Sequence, residues 1–113
     1  MNHEEDAIQA AICLALSEAG IYFFSVPNSA GGKTSMQRAM RLKATGLRAG
    51  VADLVVMRQD GRACFLEVKT KTGRLSPAQD NFKILCAARG WSWGIARSVD
   101  DALALCVAWE VLP

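Results

Sequence analysis

The sequence of 113 residues contains no apolar run long enough for a membrane-spanning helix. Such a helix needs about 20 consecutive apolar residues, and the longest apolar stretch, near residues 10–16, is far shorter. A basic leader is also missing, because Glu4, Glu5 and Asp6 stand where a secretory signal peptide carries positive charge. We therefore expect a cytoplasmic protein with no membrane partner.

Ligands for zinc are scarce as well. The chain has one histidine, and no two of its four cysteines form a Cys-x-x-Cys pair; these residues are His3, Cys13, Cys64, Cys86 and Cys106. Structural zinc sites take four such ligands at close spacing, so we expect no zinc site. Buried, reduced thiols in a reducing compartment fit this pattern.

Basic residues are absent from the first 32 positions, which carry a net charge of −4. Residues 33–74 hold ten Lys or Arg against three acids and reach +7, whereas residues 75–113 carry −1. A positive block of this kind suits binding to the phosphate backbone of a nucleic acid. Scattered solvated charges are the alternative, and charge alone does not decide between the two.

The remaining composition, 51% hydrophobic and 21% charged, is that of one globular domain spanning residues 1–113. Periodicity and end signals predict helices over 4–19, 36–44, 77–89 and 99–106, and strands over 21–26, 51–57, 63–69 and 91–96. Ser76 before Pro77 is typical of a helix start, and Asp60-Gly61 of a hairpin turn. A strand hairpin flanked by helices predicts an α/β sandwich around a central mixed β-sheet.

Three charged side chains interrupt the two strands of this hairpin. Asp53 lies within an apolar strand, and Glu67 and Lys69 lie near the end of the paired strand. Alternation places Glu67 and Lys69 on one face, and pairing about the turn sets Asp53 opposite them. We therefore expect two carboxylates and an ammonium to meet at one end of the sheet.

Two neighbouring carboxylates repel each other unless a cation lies between them, and oxygen ligands suit Mg²⁺ or Mn²⁺. The carbonyl oxygen of Val68 is a candidate further ligand. Such a metal activates a water molecule and neutralises charge that develops on a phosphodiester, while Lys69 orients the water or stabilises the transition state. The alternative is a plain salt bridge at a strand end that faces solvent.

These residues resemble a known family. Segments 46–54 and 65–69, which contain Ala52-Asp53 and Glu67-Val68-Lys69, resemble the PD-(D/E)xK nuclease superfamily. Segment 70–79 narrows the resemblance to the VRR-NUC (virus-type replication–repair nuclease) domain, and segments 5–9 and 27–28 also match, so that nearly the whole chain is covered. One departure is Ala52, since the family usually has proline before the metal-binding aspartate; the proline is not a ligand.

The resemblance implies a restriction-endonuclease-like fold and a Mg²⁺- or Mn²⁺-dependent DNA endonuclease of DNA repair that selects branched DNA such as Holliday junctions or flaps. It makes Asp53 and Glu67 metal ligands and Lys69 the catalytic lysine. It also places Glu5 on the first helix facing the metal, directly or through water, and Gln79 near the active site.

The resemblance further implies a stand-alone homodimer of a phage or bacterial cytosol, and we also base the dimer on the apolar stretch 102–112. The candidate DNA contacts are Asn28, Lys33, Arg38, Arg41, Lys43, Arg48, Lys71 and Arg74. Each has a plainer alternative as a turn residue or a solvated charge.

Two other functions stay open. A non-catalytic DNA-binding or scaffold subunit on the same fold would be expected to lack one acid or the lysine, and all three are present. An enzyme that acts on RNA or on a small molecule is the other, because the chemistry at an RNA phosphodiester is the same. Cleavage tests on several nucleic acids separate these functions.

Overall fold

A computed structural model describes residues 3–27 and 35–113 of the chain. Helices and strands follow one another there in the predicted order α-β-α-β-β-α-β-α. The elements are α1 (His3–Glu18), β1 (Phe23–Ser25), α2 (Met36–Ala44), β2 (Leu54–Met57), β3 (Ala63–Val68), α3 (Pro77–Arg89), β4 (Ser92–Ala96) and α4 (Val99–Ala108).

The strands form one sheet in the order β1-β2-β3-β4. The β1–β2 and β2–β3 pairs are antiparallel, whereas β4 runs parallel to β3. The predicted hairpin sets Leu54 opposite Leu66 and Met57 opposite Ala63. Because parallel neighbours need a crossover connection, α3 spans one face of the sheet between β3 and β4. The predicted mixed sheet flanked by helices is confirmed.

The core lies on the sheet face that α1 and α4 cover. Alternate residues of the strands point to opposite faces, and one set packs against Ile12 and Leu16 of α1 and Cys106 of α4; this set is Leu54, Val56, Cys64, Leu66, Val68 and Ala96. On the other face, Phe82 of α3 meets Phe65 of β3 edge-on, with ring centroids 5.2 Å apart. The site residues of β3 share the face of Phe65.

The cysteines are free thiols: Cys64, Cys86 and Cys106 are buried, and Cys13 is half-buried. Burial raises the pKa of the Cys106 thiol to about 11, which keeps it protonated and unreactive at neutral pH. The predicted burial is found for Cys64, Cys86 and Cys106, and only in part for Cys13.

Two expectations need correction. The second strand begins at Leu54, so Asp53 lies just before the strand rather than inside it. The apolar stretch 102–112 gives no support for a dimer, because Ala102, Cys106 and Trp109 are buried in the core of the same chain. Packing within the protomer therefore accounts for these three residues, whereas Val107 of the same stretch is 52% exposed. No helix in residues 3–27 and 35–113 is both long and apolar enough to cross a membrane.

Candidate active site

Asp53 is held between two strands by its backbone and its side chain. The Val26 N–H donates to the Asp53 carbonyl at 2.9 Å, and the Val68 N–H donates to Asp53 Oδ2 at 2.8 Å. The carboxylate therefore accepts a β3 amide in the way that a backbone carbonyl does in a β-ladder, and β2 begins with the next residue, Leu54. This bond brings Asp53 beside Glu67 and Lys69, as the hairpin predicts.

Gly50 lets the segment before Asp53 approach α3 closely. Its φ is +84°, and a Cβ at this position would lie 2.2 Å from the carbonyl oxygen of Ala78. A side chain is excluded there both by the backbone conformation and by the lack of space. The sequence contains the glycine but carries no signal of this contact, since its partner lies 28 positions further along the chain.

Glu67 is a buried carboxylate, 1% exposed. Its Oε2 accepts a hydrogen bond from Gln79 Nε2 at 3.1 Å and lies 3.6 Å from Lys69 Nζ. Its Oε1 is also buried and receives no hydrogen bond. Burial and the neighbouring negative charge of Asp53 raise the pKa of Glu67 to about 8, although the Lys69 ammonium opposes the shift. An ionised Glu67 at this position needs an additional positive charge.

The side-chain amide of Gln79 both caps helix α3 and binds Glu67. Its Oε1 accepts from the Ser76 N–H at 2.9 Å, and the Gln79 N–H donates to Ser76 Oγ at 3.2 Å, which completes the capping box at the start of α3. The same side chain donates to Glu67 through Nε2. The helix cap therefore orients the amide that holds Glu67, and the predicted place of Gln79 beside the site is what the structure has.

Lys69 is a nearly buried cation, 8% exposed. Its N–H donates to the Ala96 carbonyl at 3.1 Å, so the parallel ladder continues one residue beyond the regular end of β3. Acidic groups around a buried ammonium stabilise it. Glu67 Oε2 lies 3.6 Å from Lys69 Nζ, and Glu5 also interacts with Lys69 electrostatically. Lys69 and Glu67 lie on one face of the strand, as alternation predicts.

Glu5 lies half-buried in the first turn of α1. Burial raises its pKa, Lys69 opposes this shift, and the charge of Asp53 adds to it. Glu5 is thus within electrostatic reach of the site. However, no three His, Cys, Asp or Glu side chains converge into a metal-binding group within residues 3–27 and 35–113. Asp53 and Glu67 are therefore the acidic pair, and the roles of Glu5 and of the Val68 carbonyl as ligands stay predictions.

The candidate DNA contacts are spread over two regions. Helix α2 has no buried residue, and its Arg38, Arg41 and Lys43 are exposed, as are Arg48, Lys71 and Arg74. Their exposure leaves these charges accessible to a phosphate backbone. Asn28 and Lys33 lie outside the residues that the structure describes.

Arg97 is a residue that the sequence does not single out. Its Nη1 donates to the carbonyl oxygens of Thr70 at 2.6 Å and Gly73 at 2.8 Å, with a longer contact of 3.4 Å to that of Lys71. All three carbonyls belong to the loop that follows Lys69. An arginine directly after a strand carries no sequence signal for such a bond, because the loop lies 24 to 27 positions earlier.

Together, the mixed sheet and the acidic pair beside a buried lysine define a protein of the nuclease-fold class. The model of the VRR-NUC domain matches residues 23–100, well over half of the chain. The chain belongs to the VRR-NUC family, as the motifs in its sequence indicate.

Two solved structures have a similar fold. One is described as a VRR_NUC domain, with a TM-score of 0.67 and 18% identity over 96% of this chain and 99% of its own. The other, a VRR_NUC domain protein, also has a TM-score of 0.67 and 18% identity, over 99% of this chain and 90% of its own. Because both identities are low, these similarities establish the fold alone. A comparison with curated proteins gives no match.

Proposed function

We propose that this protein is a metal-dependent DNA endonuclease that hydrolyses phosphodiester bonds. The observation that carries the proposal is the buried Glu67, which has one oxygen without a donor and lies beside Asp53 and Lys69. Ionisation of a buried acid in this state is costly, and a bound cation would offset that cost.

The residues present fit a hard divalent cation such as Mg²⁺ or Mn²⁺. Asp53 and Glu67 would hold it through carboxylate oxygens, with the Val68 carbonyl and Glu5, directly or through water, as the further predicted ligands. When bound, the ion supplies Lewis-acid stabilisation of the phosphate and lowers the pKa of a water molecule. The vacant Oε1 of Glu67 is the structural feature that favours this fit.

The chain's own residues would prepare the reaction. The Val68 N–H fixes the Asp53 carboxylate, and the Gln79 amide fixes that of Glu67. The Lys69 ammonium, held 3.6 Å from Glu67 Oε2, would orient the attacking water or stabilise negative charge on the phosphoryl oxygens. Fixed positions matter here because a charge that is already oriented needs no reorganisation during the reaction.

The proposed substrate is branched DNA, such as a Holliday junction or a flap. The exposed basic side chains would contact phosphates, and such contacts position a substrate without reading its sequence. A domain of 113 residues has little surface for a long specific site, so the proposed recognition is of DNA shape. We also propose a homodimer, since a symmetric pair can engage a branched substrate from two sides; light scattering that gives the monomer mass with and without DNA would contradict it.

The test is cleavage of labelled four-way junction, flap, duplex and single-stranded DNA, and of an RNA duplex, with Mg²⁺, Mn²⁺ or EDTA. Lys69→Ala is compared with Lys83→Ala, which removes an exposed lysine of α3 that lies over the Trp93 ring. We expect cleavage only with metal, and a loss of about 10²–10³-fold in Lys69→Ala alone. Binding without any cleavage by the wild type would contradict the catalytic proposal and favour a binding module.

A further inference from the structure

The loop between β3 and α3 connects two parts of the candidate active site. Its first residue, Lys69, supplies the candidate catalytic ammonium. Its other end is the capping box of Ser76 and Gln79, whose amide holds Glu67. A shift of this loop would therefore move the lysine and the support of the carboxylate together.

One side chain from outside the loop holds its middle. Arg97 Nη1 bonds to the carbonyls of Thr70 and Gly73 at 2.6 and 2.8 Å. Within the loop, the Gly73 N–H donates to the Thr70 carbonyl at 3.1 Å. A guanidinium is planar and always charged, so it can join several carbonyl oxygens that have no strand or helix partner.

Arg97 itself has a firm base. Its backbone N–H donates to Asp101 Oδ2 at 2.9 Å, and the Asp101 N–H donates to Ser98 Oγ at 3.1 Å in the cap of α4. The preceding residue, Ala96, accepts the Lys69 N–H. The junction of β4 and α4 thus contacts the loop through a backbone carbonyl and a guanidinium on consecutive residues.

We infer that Arg97 is a positioning residue of the active site, which sets the loop 70–73 and, through it, Lys69 and the Gln79–Glu67 pair. This inference rests on the proposed function for its effect on cleavage. It does not make Arg97 a contact of the substrate, because Nη1 is directed to the protein's own carbonyls. The role distinguishes Arg97 from the exposed Lys71 and Arg74 of the same segment.

The first measurement is hydrogen–deuterium exchange on the metal-free protein. Arg97→Ala and Arg97→Lys are compared with Arg89→Ala, which removes an arginine placed over the Trp91 ring at the far end of α3. We expect faster exchange of the Lys69 and Gly73 amides in Arg97→Ala, an intermediate rate in Arg97→Lys, and wild-type exchange in Arg89→Ala. Exchange in segment 69–76 equal to the wild type in both Arg97 variants would overturn the inference.

The second measurement separates positioning from DNA contact. Displacement of a reacting group by about 1 Å costs on the order of 10²-fold in rate, so kcat should fall by that order in Arg97→Ala while KM and the salt dependence of binding stay near wild type. Added methylguanidinium should restore part of kcat in Arg97→Ala. A higher KM, a weaker salt dependence and an unchanged kcat would make Arg97 a phosphate contact instead.

The two proposals can fail separately. If the wild type cuts no substrate, the nuclease proposal fails, and the exchange data still decide whether Arg97 sets the loop. If the wild type cuts and Arg97→Ala cuts equally fast, positioning fails and the nuclease stands. Should Arg97→Ala not fold, Arg97→Lys carries the test, because it keeps the charge and loses the planar group.

Discussion

The end of β3 and helix α2 both carry charged residues, but the charges at the end of β3 are buried and those of α2 are exposed. At the end of β3, Glu67 is 1% and Lys69 8% exposed, and protein groups hold their positions. Helix α2 has no buried residue; even Met36 and Met40 are 78% and 63% exposed.

This difference in burial suits two different functions, catalysis at the end of β3 and phosphate binding on α2. Chemistry on a phosphodiester requires groups fixed to within a fraction of an ångström, and such fixation needs burial and several hydrogen bonds. Attraction of a phosphate backbone acts over about a Debye length and tolerates movement. The comparison therefore predicts that substitutions at the β3 end affect stability and rate, whereas those on α2 affect binding.

The largest effect expected of the β3 end is a stability that depends on pH. The pKa of Glu67 is raised from 4.5 to about 8 in the folded protein. Between these values the folded state binds a proton that the unfolded state lacks, so the metal-free protein loses stability as the pH rises. At about 1.4 kcal/mol per pKa unit, the shift corresponds to a loss of about 5 kcal/mol.

Urea unfolding in EDTA from pH 5 to pH 9 measures this loss, and Glu67→Gln should remove most of it. Glu18→Gln, an exposed acid at the end of α1, is the matched control and should behave as the wild type. Mn²⁺ should stabilise the wild type more at pH 9 than at pH 5, and Glu67→Gln much less. A stability that rises with pH in the wild type and in Glu18→Gln would contradict the raised pKa of Glu67.

A smaller effect is expected where the segment before Asp53 meets α3. Gly50→Ala should destabilise the protein by about 2–3 kcal/mol, because the new Cβ meets the Ala78 carbonyl and φ is positive. Gly46→Ala is the matched control, since its φ of +109° is also unfavourable but its surroundings are open. It should cost about 1 kcal/mol. Equal losses in urea unfolding would show that the close approach contributes nothing.

The smallest effect on the folded protein is expected on α2. The double variant Arg38→Ala/Arg41→Ala should change the free energy of unfolding by less than about 0.5 kcal/mol, because both side chains are exposed. DNA binding should weaken, and the slope of log K against log salt should decrease by about 2 if each arginine contacts one phosphate.

The matched control for α2 is Lys83→Ala/Arg89→Ala, which removes two cations of α3. Fluorescence anisotropy in Ca²⁺ over a series of salt concentrations gives both slopes. An unchanged slope in the α2 variant would show that the DNA does not contact Arg38 and Arg41. A large loss of stability in that variant would show that α2, like the end of β3, contributes to the stability of the fold.

Sequence reasoning was strongest where the signal is local. Helix α2 has the predicted bounds, and Ser76 starts α3 through the predicted cap. The predicted hairpin placed Asp53 beside β3, because the turn at Asp60-Gly61 fixes the register of the two strands. The apolar stretch 102–112 was a weak basis for a dimer, since hydrophobicity alone does not distinguish an exposed face from a core, and Ala102, Cys106 and Trp109 lie in the core.

By itself, the sequence determined the order of elements, the pairing of the hairpin strands and the side-by-side placement of Asp53, Glu67 and Lys69. These depend on alternation, turns and caps, which act over a few residues. Only the tertiary structure decided that Gln79 joins the cap to Glu67, that Gly50 abuts Ala78, and that Arg97 holds the loop after Lys69. Each of these contacts joins segments more than ten residues apart in the sequence. The packing of α3 on the sheet and the pairing of β4 with β3 bring these segments together.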